Sequence, residues 1–151
     1  MLRILSILFV LLSTNVMAQD DQDAVKKTIE DFFAGFHAQD SLLMKQEVSE
    51  SVILQTIGKD ETGNSIVKSQ PFNEFLKSIV SIPSTTTFEE VITNYSIQVD
   101  GPMANVWTDY EFMLNNEFHH CGVNSFQLVK DANKGWQIIY LIDTRRKEGC
   151  N

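Results

Sequence analysis

Two histidines and a cysteine stand side by side in Phe118-His119-His120-Cys121-Gly122-Val123-Asn124-Ser125-Phe126-Gln127. A mixed-charge set, Asp143-Thr144-Arg145-Arg146, follows near the end of the chain. Imidazole and thiolate bind metals, move protons and attack carbon, so their neighbourhood decides what they do. Successive residues of a regular strand point to opposite faces. On that geometry His119 and His120 cannot share one ion, nor can His120 and Cys121. No HExxH or CxxC spacing accompanies them, and His37 is the one other histidine. Neither a metal nor a cofactor is expected. As a nucleophile Cys121 would need a neighbouring base, but the adjacent histidines face the other way or lie along the chain, so it reads first as a small buried hydrophobe.

The alternation in this strand sorts its residues. His120, Gly122, Asn124, Phe126 and Leu128 share one face, and the two apolar members make it the inner one. If the turn Asp131–Gly135 closes a hairpin, the next strand can pair in two ways. In one register Asn124 faces Asp143, and Ile139, Leu141, Asp143 and Arg145 lie on the His120 face. A slip of one residue puts Ile138, Tyr140, Ile142 and Thr144 there instead. The five-residue turn leaves both open. In the first register His120, Asn124, Asp143 and Arg145 form a polar cluster on an apolar wall. A carboxylate beside an imidazole then orients a general base, with His120 and Asp143 as the catalytic candidates. The alternative is an Asp143–Arg145 or Asp143–Arg146 ion pair beside a hydrogen-bonded histidine.

Aromatic residues come from Ala104-Asn105-Val106-Trp107-Thr108-Asp109-Tyr110-Glu111-Phe112. Val106, Thr108, Tyr110 and Phe112 share the more apolar face, with the Tyr110 hydroxyl as a polar handle. Trp107 lies on the other face, where it suits a dimer interface. Tyr110, Phe112, Asn124, Phe126, Arg145 and Trp107 are the candidate ligand-contacting residues.

These residues need a scaffold, and the rest of the chain supplies one. Val25, Ile29, Phe32, Phe33 and Phe36 recur at three- and four-residue steps, one apolar stripe on a helix. Asp40 and Ser41 cap a short second helix to about Val48. Ser51–Gly58 is β-branched and reads as a strand, and Ile66-Val67 as a short further one. A helix follows with Pro71 in its first turn and Phe72, Phe75, Leu76 and Ile79 on one side, until Pro83 stops it. After Pro83 come four long strand-like runs, divided by Asp100-Gly101-Pro102, Asn115-Asn116 and Asp131–Gly135. Helices first and an antiparallel meander later indicate an α+β domain, with about three helices packed on a strongly curved antiparallel sheet.

The first eighteen residues read differently. Arg3, an apolar run from Ile4 to Leu12 and small residues at Val16 and Ala18 form a secretory signal pattern, with cleavage expected after Ala18. Residues 19–151 are then one domain, exported to the periplasm or the cell exterior. Its 11 basic against 20 acidic residues disfavour nucleic acid and anionic membrane surfaces, so no nucleic-acid or membrane partner is expected once the signal is removed. Hydrophobic residues make up 43% of the chain, with ten phenylalanines, enough for a real core. Export makes a Cys121–Cys150 disulfide an open alternative. In an extended strand Cys150 lies too far along, so a bridge needs the tail to fold back, which Gly149 permits.

The element order resembles the nuclear transport factor 2-like superfamily, the cone-shaped fold of ketosteroid isomerases, scytalone dehydratase and SnoaL-like polyketide cyclases. AVKKTIEDFFAGFHAQD, ANVWTDYEF, HCGVNSFQLV and GWQIIYLIDTRR carry the likeness. The last three are similar to an exported bacterial subgroup. The resemblance implies a deep, mostly apolar pocket between the helices and the concave sheet, and a homodimer through the sheet. Three functions are compatible with it. One is binding of an apolar or aromatic small molecule anchored by His120, Asp143 and Arg145. Another is an isomerase, cyclase or dehydratase in which His120 or Asp143 moves a proton and Tyr110 steadies an oxyanion. The third is a dimeric interaction module whose pocket is filled by its own side chains.

Overall fold

The structure is a computed structural model that describes Leu2–Cys150, with side chains from Gln19 onward. The signal segment and its expected cleavage point fall outside the described side chains. Three helices, α1 (Leu2–His37), α2 (Ser41–Gln46) and α3 (Phe72–Val80), pack on six strands. These are β1 (Val48–Lys59), β2 (Ser65–Gln70), β3 (Phe88–Asp100), β4 (Met103–Leu114), β5 (Glu117–Asp131) and β6 (Gly135–Arg146).

The strands form one sheet in the order β2-β1-β6-β5-β4-β3. β3 to β6 are the expected antiparallel meander. The sheet is mixed, because β1 joins β6 in parallel and then turns back to pair antiparallel with β2. Asn115 and Asn116, both at positive φ, make the two-residue β4–β5 turn, the backbone whose twist matches a hairpin.

The stripe on α1 is the keel of the core. Val25, Ile29, Phe32, Phe33 and Phe36 are buried against Val106, Phe126, Leu128 and Ile138 of the concave sheet face. Each such side chain contributes about 1.5–3 kcal/mol by leaving water. α2 folds tightly under α1 because Gly35 carries no side chain: a Cβ there would stand 2.9 Å from the Met44 amide nitrogen. Asp40 caps α2, accepting from the amides of Leu42 and Leu43 at 2.8 and 3.1 Å. Gln39 then donates through Nε2 to the carbonyls of Ile79 and Ile82, tying this corner to the end of α3.

Both hairpin registers foreseen for β5 and β6 occur, each in its own half. Near the turn Leu128 pairs with Ile138, and beyond a bulge at Ile139 Phe126 pairs with Leu141 and Asn124 with Asp143. The bulge therefore sends Ile138 inward at one end and Asp143 and Arg145 inward at the other.

Cys121 is not a free buried thiol. It is bonded to Cys150 with Cα atoms 5.8 Å apart. The distance closes because β6 ends at Arg146 and the tail turns back through Gly149 at φ 65°. The bridge closes a loop across 29 residues, and restricting such a loop in the unfolded chain stabilises the fold by roughly 2–4 kcal/mol. Cys150→Ser should lower the urea unfolding free energy by about that amount, and an unchanged midpoint would show that the bridge carries no stability.

Candidate functional site

Between the helices and the concave sheet lies an open cavity of about 610 Å³. Phe33, Phe36, Phe75, Phe88 and Phe112 give it an apolar body; its polar lining comes from β3, β5 and β6 and also from Gln55, Thr56, Lys68, Ser69 and Gln70 of β1 and β2. A space of this size is not one filled by the protein's own side chains, which counts against the interaction-module expectation.

The histidine pair is the first departure from a regular strand. Phe112 pairs with His120 but Met113 pairs with Phe118, which leaves His119 as an extra residue in a β-bulge. Two successive side chains then turn the same way. Both imidazoles border the cavity, with Nδ1 atoms 2.8 Å apart. At that distance one Nδ1–H donates to the other's lone pair, so a single proton serves both atoms. The separation to opposite faces expected from strand alternation does not hold here. His119 is exposed at the rim. His120 is buried, stacked on Phe112 at 4.8 Å and edge-on to Tyr110. Burial first, then the charges of Arg145 and His119, pull His120 down to about 4, with Asp143 opposing. It is therefore a neutral imidazole at neutral pH.

Glu90 is the residue that reading the sequence missed. It comes from β3, opposite Phe112, and points into the cavity. The Asn124 amide donates to its Oε1 at 2.7 Å and lies 3.3 Å from the Thr108 hydroxyl. The backbone N–H of Glu90 donates to His37 Nε2 at 2.9 Å, which anchors this part of β3 to α1. Burial lifts the Glu90 carboxyl to about 7. The Asn124 hydrogen bond and Arg145 oppose the rise, and Asp143 adds to it. Such a group exchanges its proton near neutral pH. The signal was present in Phe88-Glu89-Glu90-Val91-Ile92, where Glu90 interrupts the inward apolar alternation.

Asp143 and Arg145 form the ion pair foreseen as the alternative to catalysis, Nε to Oδ2 at 2.8 Å. The Asp143 side chain is only 13% exposed, while that of Arg145 is 63% exposed at the rim. Gly122 has no side chain, and a Cβ there would collide with the Thr144 carbonyl oxygen and lie 2.6 Å from the Tyr110 ring. Through that gap Tyr110 donates its O–H to Thr144 O at 2.9 Å.

The cavity thus brings together His120, Asp143, Asn124, Arg145 and Phe112 of the expected set. Three others lie elsewhere. The Tyr110 hydroxyl is engaged by Thr144 behind Gly122, and burial raises it well above the ordinary phenol range, so it is not free to meet an oxyanion. Phe126 is fully buried under Phe33 in the core. Trp107 is 48% exposed on the convex face, because its parity in β4 is opposite to that of Phe112. Among the described residues no group of three or more His, Cys, Asp and Glu is placed to hold a metal ion.

Solved structures show where this architecture recurs. An NTF2-like protein with a cystatin-like fold from Novosphingobium aromaticivorans matches with a TM-score of 0.70 at 10% identity, over 91% of this chain and 89% of that one. The chain has the NTF2-like fold. A superfamily protein from Salmonella enterica serovar Typhimurium matches this NTF2-like cone with a TM-score of 0.66 at 15% identity, over 87% and 94% of the two chains. A candidate dehydratase of the NTF2-like family from Streptomyces avermitilis matches at 0.64 and 14%, over 85% and 97%. Identities this low speak to the fold alone. Neither a protein-family model nor the sequence of a curated protein matches the chain.

The two titrating groups give the cone a pH signature. Glu90 titrates near 4.5 when unfolded and about 7 when folded. The stability it contributes is complete below pH 4.5 and is lost as pH rises through 7. His120 falls from 6.5 to about 4 on folding, so its contribution is present above 6.5 and lost as pH falls to 4. His120 gains stability over much of the range in which Glu90 loses it, so the signature lies in the difference between variant and wild type. Glu90→Gln should change the urea unfolding free energy little at pH 4.5 and raise it by on the order of 2–3 kcal/mol at pH 8. A difference that does not grow with pH would refute the raised carboxyl.

Proposed function

We propose that the protein is an exported small-molecule-binding protein whose cone takes an apolar or aromatic ligand. The observation that carries this is the open cavity of about 610 Å³, apolar along its body and polar at one end. A pocket of that size with a few converging polar groups is the usual form of a small-molecule site. His120, Asn124 and Glu90 face a ligand's hydrogen-bonding atom, and the phenylalanines enclose its body. The signal pattern at the start of the chain and the Cys121–Cys150 bridge both support export, since such bridges persist in oxidising compartments. Trp107, exposed on the convex sheet face, supports a homodimer through that face.

Native mass spectrometry of protein expressed with its own leader tests all three parts. The expected species is a dimer of chains beginning at Gln19, carrying a small molecule released on unfolding. Chains beginning at Met1 would overturn export, a monomer the dimer, and failure of every apolar probe to enter the cavity the binding reading.

A second reading, proton-transfer chemistry on the bound molecule, is favoured by Glu90 in particular. A carboxyl near neutrality, held by Asn124 and bordering the same cavity as the neutral His120 imidazole, has the form of a general acid or base. If the retained molecule is turned over, Glu90→Gln should lower kcat at least a hundredfold with its Kd within twofold. Unchanged kcat removes Glu90 from the chemistry.

A further inference from the structure

The polar end of the cavity and its lip carry different charges. In an otherwise acidic protein, Lys59 and Lys68 of the β1–β2 hairpin and Arg145 of β6 border one groove that opens beside the cavity, and Lys68 and Arg145 border the cavity as well. Lys68 pairs across β1 at Thr56, and Thr56 pairs with Asp143, so the lysine begins on the row that leads to the polar cluster. Its side chain then bends across Gly58. The Lys68 Cε lies 2.9 Å, and Cδ and Nζ 3.2 Å, from where a Gly58 Cβ would stand. The glycine thus lets the ammonium lie along the groove toward Arg145.

These cations are unevenly matched. Lys26, Lys27, Lys77 and Lys130 each pair with a carboxylate, whereas Lys45, Lys134, Arg146 and Lys147, which do not line the groove, form no ion pair among the described residues. Among the described residues neither Lys59 nor Lys68 forms an ion pair, and the Lys59 ammonium meets only the Ser65 hydroxyl, at 3.0 Å. Arg145 uses Nε for Asp143, and its terminal nitrogens make no hydrogen bond among the described residues. A guanidinium with its outer N–H groups free accepts an oxyanion in a two-pronged grip, and an adjacent ammonium adds charge. Inside the cavity the Asp143 carboxylate, already paired with Arg145, disfavours an anion.

We propose that the ligand is an amphiphilic anion, with its apolar body in the cone and a carboxylate, phosphate or sulfonate held at the lip by Lys68 and the outer edge of Arg145. This rests on the small-molecule-binding reading and names the ligand class for the same cavity.

A matched pair of fluorescent probes tests it on the mature, disulfide-bonded protein: 8-anilinonaphthalene-1-sulfonate and N-phenyl-1-naphthylamine, the same body with and without the anion. The sulfonate should bind roughly tenfold tighter, lose its advantage as salt is raised, and be displaced one for one by the neutral probe. Lys68→Gln should weaken the sulfonate about fivefold, the scale of one exposed charge pair, and leave the neutral probe unchanged. Gly58→Ala, which displaces the Lys68 stem but keeps its charge, should give a smaller loss of the same selectivity.

Equal affinity for both probes, or equal weakening by Lys68→Gln, overturns the anionic headgroup and leaves the apolar cavity standing. Displacement of the sulfonate by inorganic phosphate as effectively as by the neutral probe overturns the amphiphile in favour of a free-anion site. Binding of neither probe overturns this inference together with the cavity reading.

Discussion

A sheet that wraps a helix cannot stay regular, and everything chemical in this protein depends on that constraint. The phenylalanine stripe of α1 is buried only if the strands bend around it. The bend is accompanied by bulges between Ile92 and Asn94, at His119 and at Ile139. A bulge adds twist and also reverses the parity of the residues beyond it. At His119 it turns two imidazoles to one side. At Ile139 it exchanges an aliphatic inner face near the turn for Asp143 and Arg145 near the rim. Curvature demanded by packing thereby decides which polar groups face the cavity.

The polar cluster is costly to the fold. A carboxyl in apolar surroundings loses solvation that one amide hydrogen bond does not restore, so it retains its proton to about pH 7. The His120 imidazole is held neutral for the same reason. An apolar residue at either place would suit the core better, and a site that sacrifices stability in this way is best understood through what it binds. The surroundings are correspondingly rigid. Asn124 is held by Glu90 and Thr108, the Glu90 backbone by His37, and the Thr144 carbonyl by Tyr110 across the bare Gly122.

The disulfide belongs to this same region. Cys121 follows the histidine pair directly, and its bridge brings the tail back beside the end of β6. The rim of the cone, where His119 and Arg145 sit, is thus tied covalently just beyond the end of β6. A bridge there limits motion of the groups that border the cavity mouth while leaving its apolar body to packing alone.

Much of the architecture was legible from local pattern. The α1 stripe, the Asp40 cap, Pro71 ahead of α3, the turn residues and the alternation in β4 and β5 each state a local preference that the fold satisfies. The inward face of β5, with His120, Asn124 and Phe126, follows from parity alone. Parity runs out at a bulge, because one extra residue is invisible in composition and reverses every side chain after it. The joint inward turn of His119 and His120, the double register of β5 and β6, and the parallel entry of β1 beside β6 therefore belonged to the tertiary structure. Glu90 shows the same boundary from the other side. Its place on an apolar face could be read from Phe88-Glu89-Glu90-Val91-Ile92, but its elevated pKa could not. That value arises from burial among groups supplied by β5 and β6, far away in the chain. The elements and their apolar faces follow from local pattern in the chain, because they depend on neighbours a few residues apart. Only the folded cone decided which charges meet, because charges from distant strands interact through the space that packing leaves between them.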